Sequence, residues 1–182
     1  MHSIVLGIKS AICTVWFRIH GFRSSLVICE GRLPALHGGG AVIVRGRLAL
    51  RGYVARCELG ALAGARLEIG ERVFVNQGAS IVASKHIEIG DDSRIGDFVA
   101  IYDTNYHPID SVHNAKCLPV VIGANVWLGR NVIVLPGSRV GDHAVATAGS
   151  VVSGEVPPRV LVSGNPAKVV KELSAPDGWR RA

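Results

Sequence analysis

Aromatic residues make up only 5% of this 182-residue chain, and charged residues only 19%. Basic side chains are not interleaved with aromatics and no known binding signature occurs, so no nucleic-acid partner is expected. Low charge combined with a hydrophobic fraction of 48% excludes disorder, and the length fits a single domain with a sizeable core. Cys13, Cys29, Cys57 and Cys117 show neither C-x-x-C spacing nor pairing with histidine at zinc-site intervals, so no metal site and no redox pair is expected. They read as reduced, mostly buried thiols of the cytoplasm. No apolar run reaches the roughly 20 residues of a membrane span. The longest, Ile4 to Phe17, is interrupted by Lys9, Ser10 and Thr14, and it lacks the small-residue cleavage site of a secretory signal.

Acidic residues are scarce in one region. Residues 1–66 carry nine Arg or Lys against two Glu, a net of +7, whereas residues 67–182 carry eleven against twelve acids, a net of −1. The formal excess of +6 is therefore N-terminal, and it points to membrane or subunit contact more than to a substrate. Residues 1–40 read as an apolar, basic and helical segment. Residues 1–23 would either cap the core or pack on a partner subunit, or rest as an amphipathic helix on an anionic membrane at its inner face.

Glycine is plentiful, at 22 residues. Ile, Val and Leu number 15, 25 and 14, so β-branched residues dominate and a helix bundle is disfavoured. An internal period organises them. Apolar residues recur every six positions as Ile69, Val75, Ile81 and Ile87, then Ile89, Ile95 and Ile101, then Ile122, Leu128, Val134, Val140, Ala146 and Val152. A small residue follows repeatedly (Gly70, Gly90, Gly96, Gly123, Gly129, Gly141), and a compact one lies four positions on, as at Val73, Ser93, Val126 and Ser150.

Six is neither the strand period of 2 nor the helix period of 3.6. It is three pleats plus a corner, and a chain turning every six residues makes a triangular prism, a parallel β-helix of hexapeptide repeats. In it the large residue fills the interior, the compact one fits beneath a corner, and glycine supplies unusual backbone angles. The prism is placed at 41–157, with Val42, Leu48 and Val54 in a poorer first coil, and residues 158–182 form a tail whose Ala167–Leu173 stretch closes as a short helix.

The interval from Ile101 to Ile122 is 21 residues, not a multiple of six. Residues 102–119 therefore leave the prism as a loop, the usual place for binding and catalytic groups on a rigid scaffold. The loop holds His107, with Pro108 behind it to fix an extended backbone.

His107-Pro-Ile-Asp110, Val126-Trp-Leu-Gly129, Pro136-Gly137, Ala148-Gly-Ser-Val-Val152, Val156-Pro-Pro158 and Gly164-Asn-Pro-Ala-Lys168 form an ordered set. The set resembles the hexapeptide-repeat O-acetyltransferases of the galactoside and maltose acetyltransferase type, over about residues 67–173. The resemblance implies a left-handed β-helix, a homotrimer with active sites at subunit interfaces, and acetyl-CoA as donor.

It further implies transfer of an acetyl group to a hydroxyl of a saccharide, glycan or glycolipid precursor. His107 would be the general base, since imidazole titrates near pH ~6.5 and can take the proton of an attacking alcohol. Asn76 would bind the acceptor through its amide, with Asp110 and His113 as further substrate contacts. Trp127 and Gly129 would line the channel of the donor's pantetheine arm, Ala148 would meet its thiol end, and Ser153 and Lys168 would lie nearer its nucleotide end. One departure stands out: residues 1–40 lack the polar helix and acidic acceptor residue usual in the family, which shifts the expected acceptor from soluble sugars toward membrane-associated glycans. Alternatives are an amino sugar, antibiotic or serine-like acceptor, a γ-class carbonic anhydrase using His86, His107 and His113, and a non-catalytic β-helical scaffold.

Overall fold

A computed structural model describes residues 2–176 and 178–181, with side chains from Leu6 onward; Met1, and the side chains of the first residues of the expected membrane-contacting segment, lie outside that description. Helix α1 (His2–Ile19) precedes strands β1 (Arg23–Gly31), β2 (Ala35–His37) and the long β3 (Ala41–Gly52). The coils continue through β4 (Glu58–Ala61), β5 (Arg66–Ile69), β6 (Val73–Val75), β7 (Ser80–Ala83), β8 (His86–Ile89), β9 (Arg94–Ile95) and β10 (Ala100–Tyr102). After the loop come β11 (Val120–Ile122), β12 (Trp127–Leu128), β13 (Ile133–Val134), β14 (Arg139–Val140), β15 (Val145–Ala146) and β16 (Val151–Val152). The chain ends with β17 (Glu155–Val156), β18 (Val160–Gly164) and β19 (Ala167–Glu172).

From β2 to β18 the strands pair in parallel with those one coil away and stack into the faces of a prism of about six coils. Face A holds the start of β3 with β5, β8, β11, β14 and β17. Face B holds the end of β3 with β6, β9, β12, β15 and β18, and face C holds β2, β4, β7, β10, β13 and β16. The twelve-residue β3 bends around the A–B corner and serves both faces.

The six-residue register is the core. All thirteen positions from Ile69 to Val152 are buried, and so are the compact residues four positions on, from Val73 to Ser150. The glycines that follow the inward residues have a different cause from the expected one. Gly96 and Gly129 do not occupy the left-handed region; a Cβ on Gly96 would lie 2.7 Å from the Leu128 carbonyl, and one on Gly129 2.7 Å from the Ala148 nitrogen. They are glycine because adjacent coils approach too closely for a side chain. The positive φ at the corners falls two residues later, at Arg72, Asp92, Phe98, Asn125, Asn131 and His143.

Three sequence expectations are corrected. Strands begin at Arg23, well inside the segment expected to be helical through residue 40, because β1 runs parallel to β3 over Arg23–Gly31 with a register shift between Ser24 and Leu26. Val54 is not an inward position but 69% exposed, and its coil is completed by buried Cys57 and Leu59. The expected closing helix is strand β19, antiparallel to β18; the free edge of β18 offers backbone partners that outweigh helix propensity in so short a segment.

Helix α1 caps the first coil. Cys13 and Phe17 are fully buried with Ser10 and Thr14 beside them, and the Thr14 hydroxyl accepts the Val27 amide at 3.0 Å. The outward side carries Ile8, Ile12, Val15 and Ile19, all exposed. No helix among the described residues is long and apolar enough to cross a membrane. Cys13, Cys29 and Cys57 are buried and free, and burial pushes the Cys57 thiol up to about 12.

Candidate active site

The loop of residues 103–119 leaves the prism at the C–A corner, between β10 and β11. Its neck is tied down. Asp103 is fully buried, and its carboxylate accepts the amides of Ser84 and Lys85 at 2.7 Å and of His86 at 2.6 Å. Thr104 bridges to Cys117, the Leu118 amide donates to the Asp103 carbonyl, and the Gly137 amide donates to the Leu118 carbonyl. Beyond the neck the tip is open, with His107, Asp110 and His113 exposed.

Asp110 serves the loop and His113 rather than His107. Its carboxylate accepts the Val112 and His113 amides at 2.9 and 2.7 Å and meets the His113 Nδ1 at 2.8 Å. The His113 ring bond, with the two amides, holds the Asp110 carboxyl below the usual carboxylate range.

Asn76, Trp127, Gly129 and Ala148 lie elsewhere, on face B and the B–C corner. Coil stacking aligns Val75 with Ile95, Leu128 and Ala146 in the neighbouring coils, so Asn76, Gly96, Gly129 and Thr147 form a column directly after them. The Asn76 amide N–H donates to the Ile95 carbonyl, and its side-chain Oδ1 accepts the Gln77 amide at 3.0 Å. Oδ1 is thus committed to the turn, and Nδ2 is the atom available to a ligand. Trp127 stands outward on β12, 47% exposed, and Ala148 is exposed at the corner. Ser153 follows β16 at the C–A corner, and Lys168 lies exposed on β19 opposite Ser163.

A single chain therefore does not assemble the sequence-predicted residues into one site. It brings His107, Asp110, His113 and Ser153 to the C–A corner and Asn76, Trp127, Gly129 and Ala148 to the B–C corner. The nominal zinc ligands are not gathered either: His86 bonds Glu68 at 3.3 Å on face A, and among the described residues no three metal-ligating groups converge.

Face B also contains a cavity of about 680 Å³ that sequence reasoning missed. Asn76 and Trp127 line it together with Phe74, Trp179 and the arginines 47, 51, 72, 94 and 181. The C-terminal tail folds back to close one wall: Arg181 donates through its amide to Asn125 Oδ1 at 2.9 Å, and Arg94 donates to the Arg181 carbonyl at 2.8 Å. The only sequence signal for this cavity was the N-terminal basic excess, two members of which, Arg47 and Arg51, face it.

No family model matches the chain. The chain is 32% identical over 117 residues to galactoside O-acetyltransferase of Escherichia coli strain K12, covering 63% of this chain and 58% of that protein. It thus spans about three fifths of the length of that curated relative. A solved hexapeptide-repeat acetyltransferase of Vibrio cholerae, complexed with acetyl coenzyme A, is 33% identical with a TM-score of 0.58, covering 63% of this chain and 64% of that one. A maltose O-acetyltransferase of Clostridium difficile is 25% identical with a TM-score of 0.56 and covers 94% of this chain and 89% of its own. These likenesses identify the prism as the left-handed parallel β-helix, and the proteins that share it at this similarity are hexapeptide-repeat, galactoside and maltose acetyltransferases.

Proposed function

We propose that the protein transfers an acetyl group from acetyl-CoA to a saccharide hydroxyl, in a homotrimer whose active sites join the C–A corner of one chain to the B–C corner of the next. The observation that carries the reading is the separation of His107 from Asn76, Gly129 and Ala148 at the B–C corner within one chain. Two halves of one apparatus on different edges of a prism meet when copies pack edge to edge. Coenzyme A in the relatives' crystals supports the donor.

His107 takes the proton of the acceptor hydroxyl as its oxygen attacks the thioester carbonyl. The new C–O bond forms, the C–S bond breaks, and the imidazolium returns its proton to the departing thiolate. Asn76 Nδ2 orients the acceptor. Lys168, exposed and charged, suits a phosphate of the donor.

Two measurements test this reading. Thiol release from acetyl-CoA across sugars, glycolipids, amino sugars and antibiotics tests the reaction itself; no release with any of them removes it. Co-assembly of His107→Ala chains with Ala148→Trp chains tests the shared site, since a mixed trimer contains sites with both groups intact. Activity recovered from two inactive parents supports the composite site, and none from verified mixed trimers removes it.

The outward stripe Ile8, Ile12, Val15 and Ile19, flanked by Lys9 and Arg18, supports peripheral contact with an anionic membrane. Ile12→Glu with Ile19→Glu should release the protein from phosphatidylserine vesicles, and failure of the unaltered chain to sediment with them ends that reading.

A further inference from the structure

The cavity on face B is walled by five arginines and, among the described residues, no carboxylate. Two of the five are neutralised from outside it. Asp92 holds Arg72 through bonds of 2.7 and 2.9 Å, and Glu30 meets Arg51 at 3.2 Å. Among the described residues Arg94 donates only to main-chain carbonyls, those of Arg72, Asp92, Ser93 and Arg181. Arg47 is exposed and has no hydrogen-bond or ion-pair partner among the described residues.

Same-sign charge gathered in a concave wall is unfavourable unless an opposite charge enters it, and low-dielectric walls strengthen its pull on an anion. Arg181 registers the crowding: burial, and then the neighbouring Arg94 guanidinium, push its pKa down. Between the arginines stand Phe74, Trp127 and Trp179, which offer apolar faces to the body of a ligand, and Asn76 opens into the same space.

We propose that the acceptor is an anionic saccharide whose phosphate or carboxylate is held in this cavity by Arg47 and Arg94, with the hydroxyl to be acetylated near Asn76. The inference rests on the acetyltransferase reading and narrows its acceptor class. Guanidinium groups suit it because their planar forks match the oxygens of phosphate and carboxylate. The phosphates of the donor are the other source of the same chemistry. The cavity spans the coils from β3 to β12, however, whereas the residues assigned to the nucleotide end of the donor, Ser153 and Lys168, lie after β16 and on β19. Trp127, which lines the cavity, serves the donor's uncharged pantetheine arm, so the anion assigned to the cavity belongs to the acceptor. On this reading the N-terminal basic excess serves the substrate as well as the surface.

Calorimetric titration of the assembled protein with pyrophosphate, with and without saturating acetyl-CoA, tests the proposal. Pyrophosphate should bind in both conditions and weaken as salt rises. Arg47→Ser, at an exposed and unpaired position, should weaken it about tenfold, the loss of one charge-assisted contact, with unchanged thermal stability and unchanged acetyl-CoA affinity. Arg94→Met should weaken it at least as much, and Lys168→Ala should weaken acetyl-CoA alone. Displacement of pyrophosphate by acetyl-CoA would assign the arginines to the donor and overturn the proposal. Absence of pyrophosphate binding in a protein that binds acetyl-CoA also overturns it. Pyrophosphate binding without acetyl-CoA binding instead removes the transferase reading while keeping the anion site.

Discussion

The two corners that carry the candidate machinery are built in opposite ways. At the B–C corner Asn76 belongs to a column of turns, each bonded to the next coil, and its position is fixed by the same repeat that fixes the core. At the C–A corner His107 rides on a seventeen-residue excursion whose neck is held by one buried carboxylate and whose tip is open to solvent. The repeat fixes where a side chain stands but cannot reach beyond its own surface; the loop reaches, and Asp103 ties down its neck. Rigidity and reach are separated along the chain, and the proposed composite site would draw on both.

The largest expected effect falls at the tip of the loop. His107→Ala should lower turnover by about 10²–10⁴-fold, the usual contribution of a general base, with a melting temperature indistinguishable from the parent because the ring is exposed. Turnover within a few-fold of the parent would remove His107 as the base. Asp103→Ala strikes the neck and strands three amides in a buried place. A loss of about 3 kcal/mol follows from the desolvated donors, visible in urea unfolding together with a drop in turnover. If stability falls while turnover holds, the neck does not position the tip.

The opposite corner responds in stability first. Gly129→Ala places a Cβ against the Ala148 backbone, where little can move, at a cost of about 1–3 kcal/mol by overpacking. An unchanged melting temperature would show that the column is looser than its spacing implies. Asp110→Asn should have the smallest effect. The depressed carboxyl contributes order that is present above its ordinary range near pH ~4 and is lost as the pH falls through its lowered folded value. Protection of the Val112 and His113 amides, taken relative to intrinsic exchange at each pH, should therefore fall in acid in the parent and be low at every pH in Asp110→Asn. Equal exchange in the two proteins at neutral pH would show that the aspartate does not order the tip.

Much of this was legible from residue order. Thirteen inward positions and the loop follow from a period of six and its one long interruption, because each strand sees only its neighbours one coil away. The misreadings came where that periodicity stops. Residues 23–37 pair with β3 and β4 without repeating every six positions. Ala167–Glu172 contains good helix formers, yet the open edge of β18 captures it as a strand. The i+1 glycines are plain in the sequence, but their reason, the close approach of the next coil, belongs to a distance between residues one coil apart, such as Gly96 and Leu128.

By itself, then, the sequence determined the prism, the length of its regular part and the place where the chain leaves it, since local periodicity dictates these. Only the tertiary structure decided that the candidate site is split between two corners and that Arg47, Arg51, Arg72, Arg94 and Arg181 share one cavity. Those arginines lie at irregular intervals over 135 residues of chain. Their juxtaposition comes from coil stacking and from a tail that folds back to Asn125, and neither leaves a periodic trace in the order of residues.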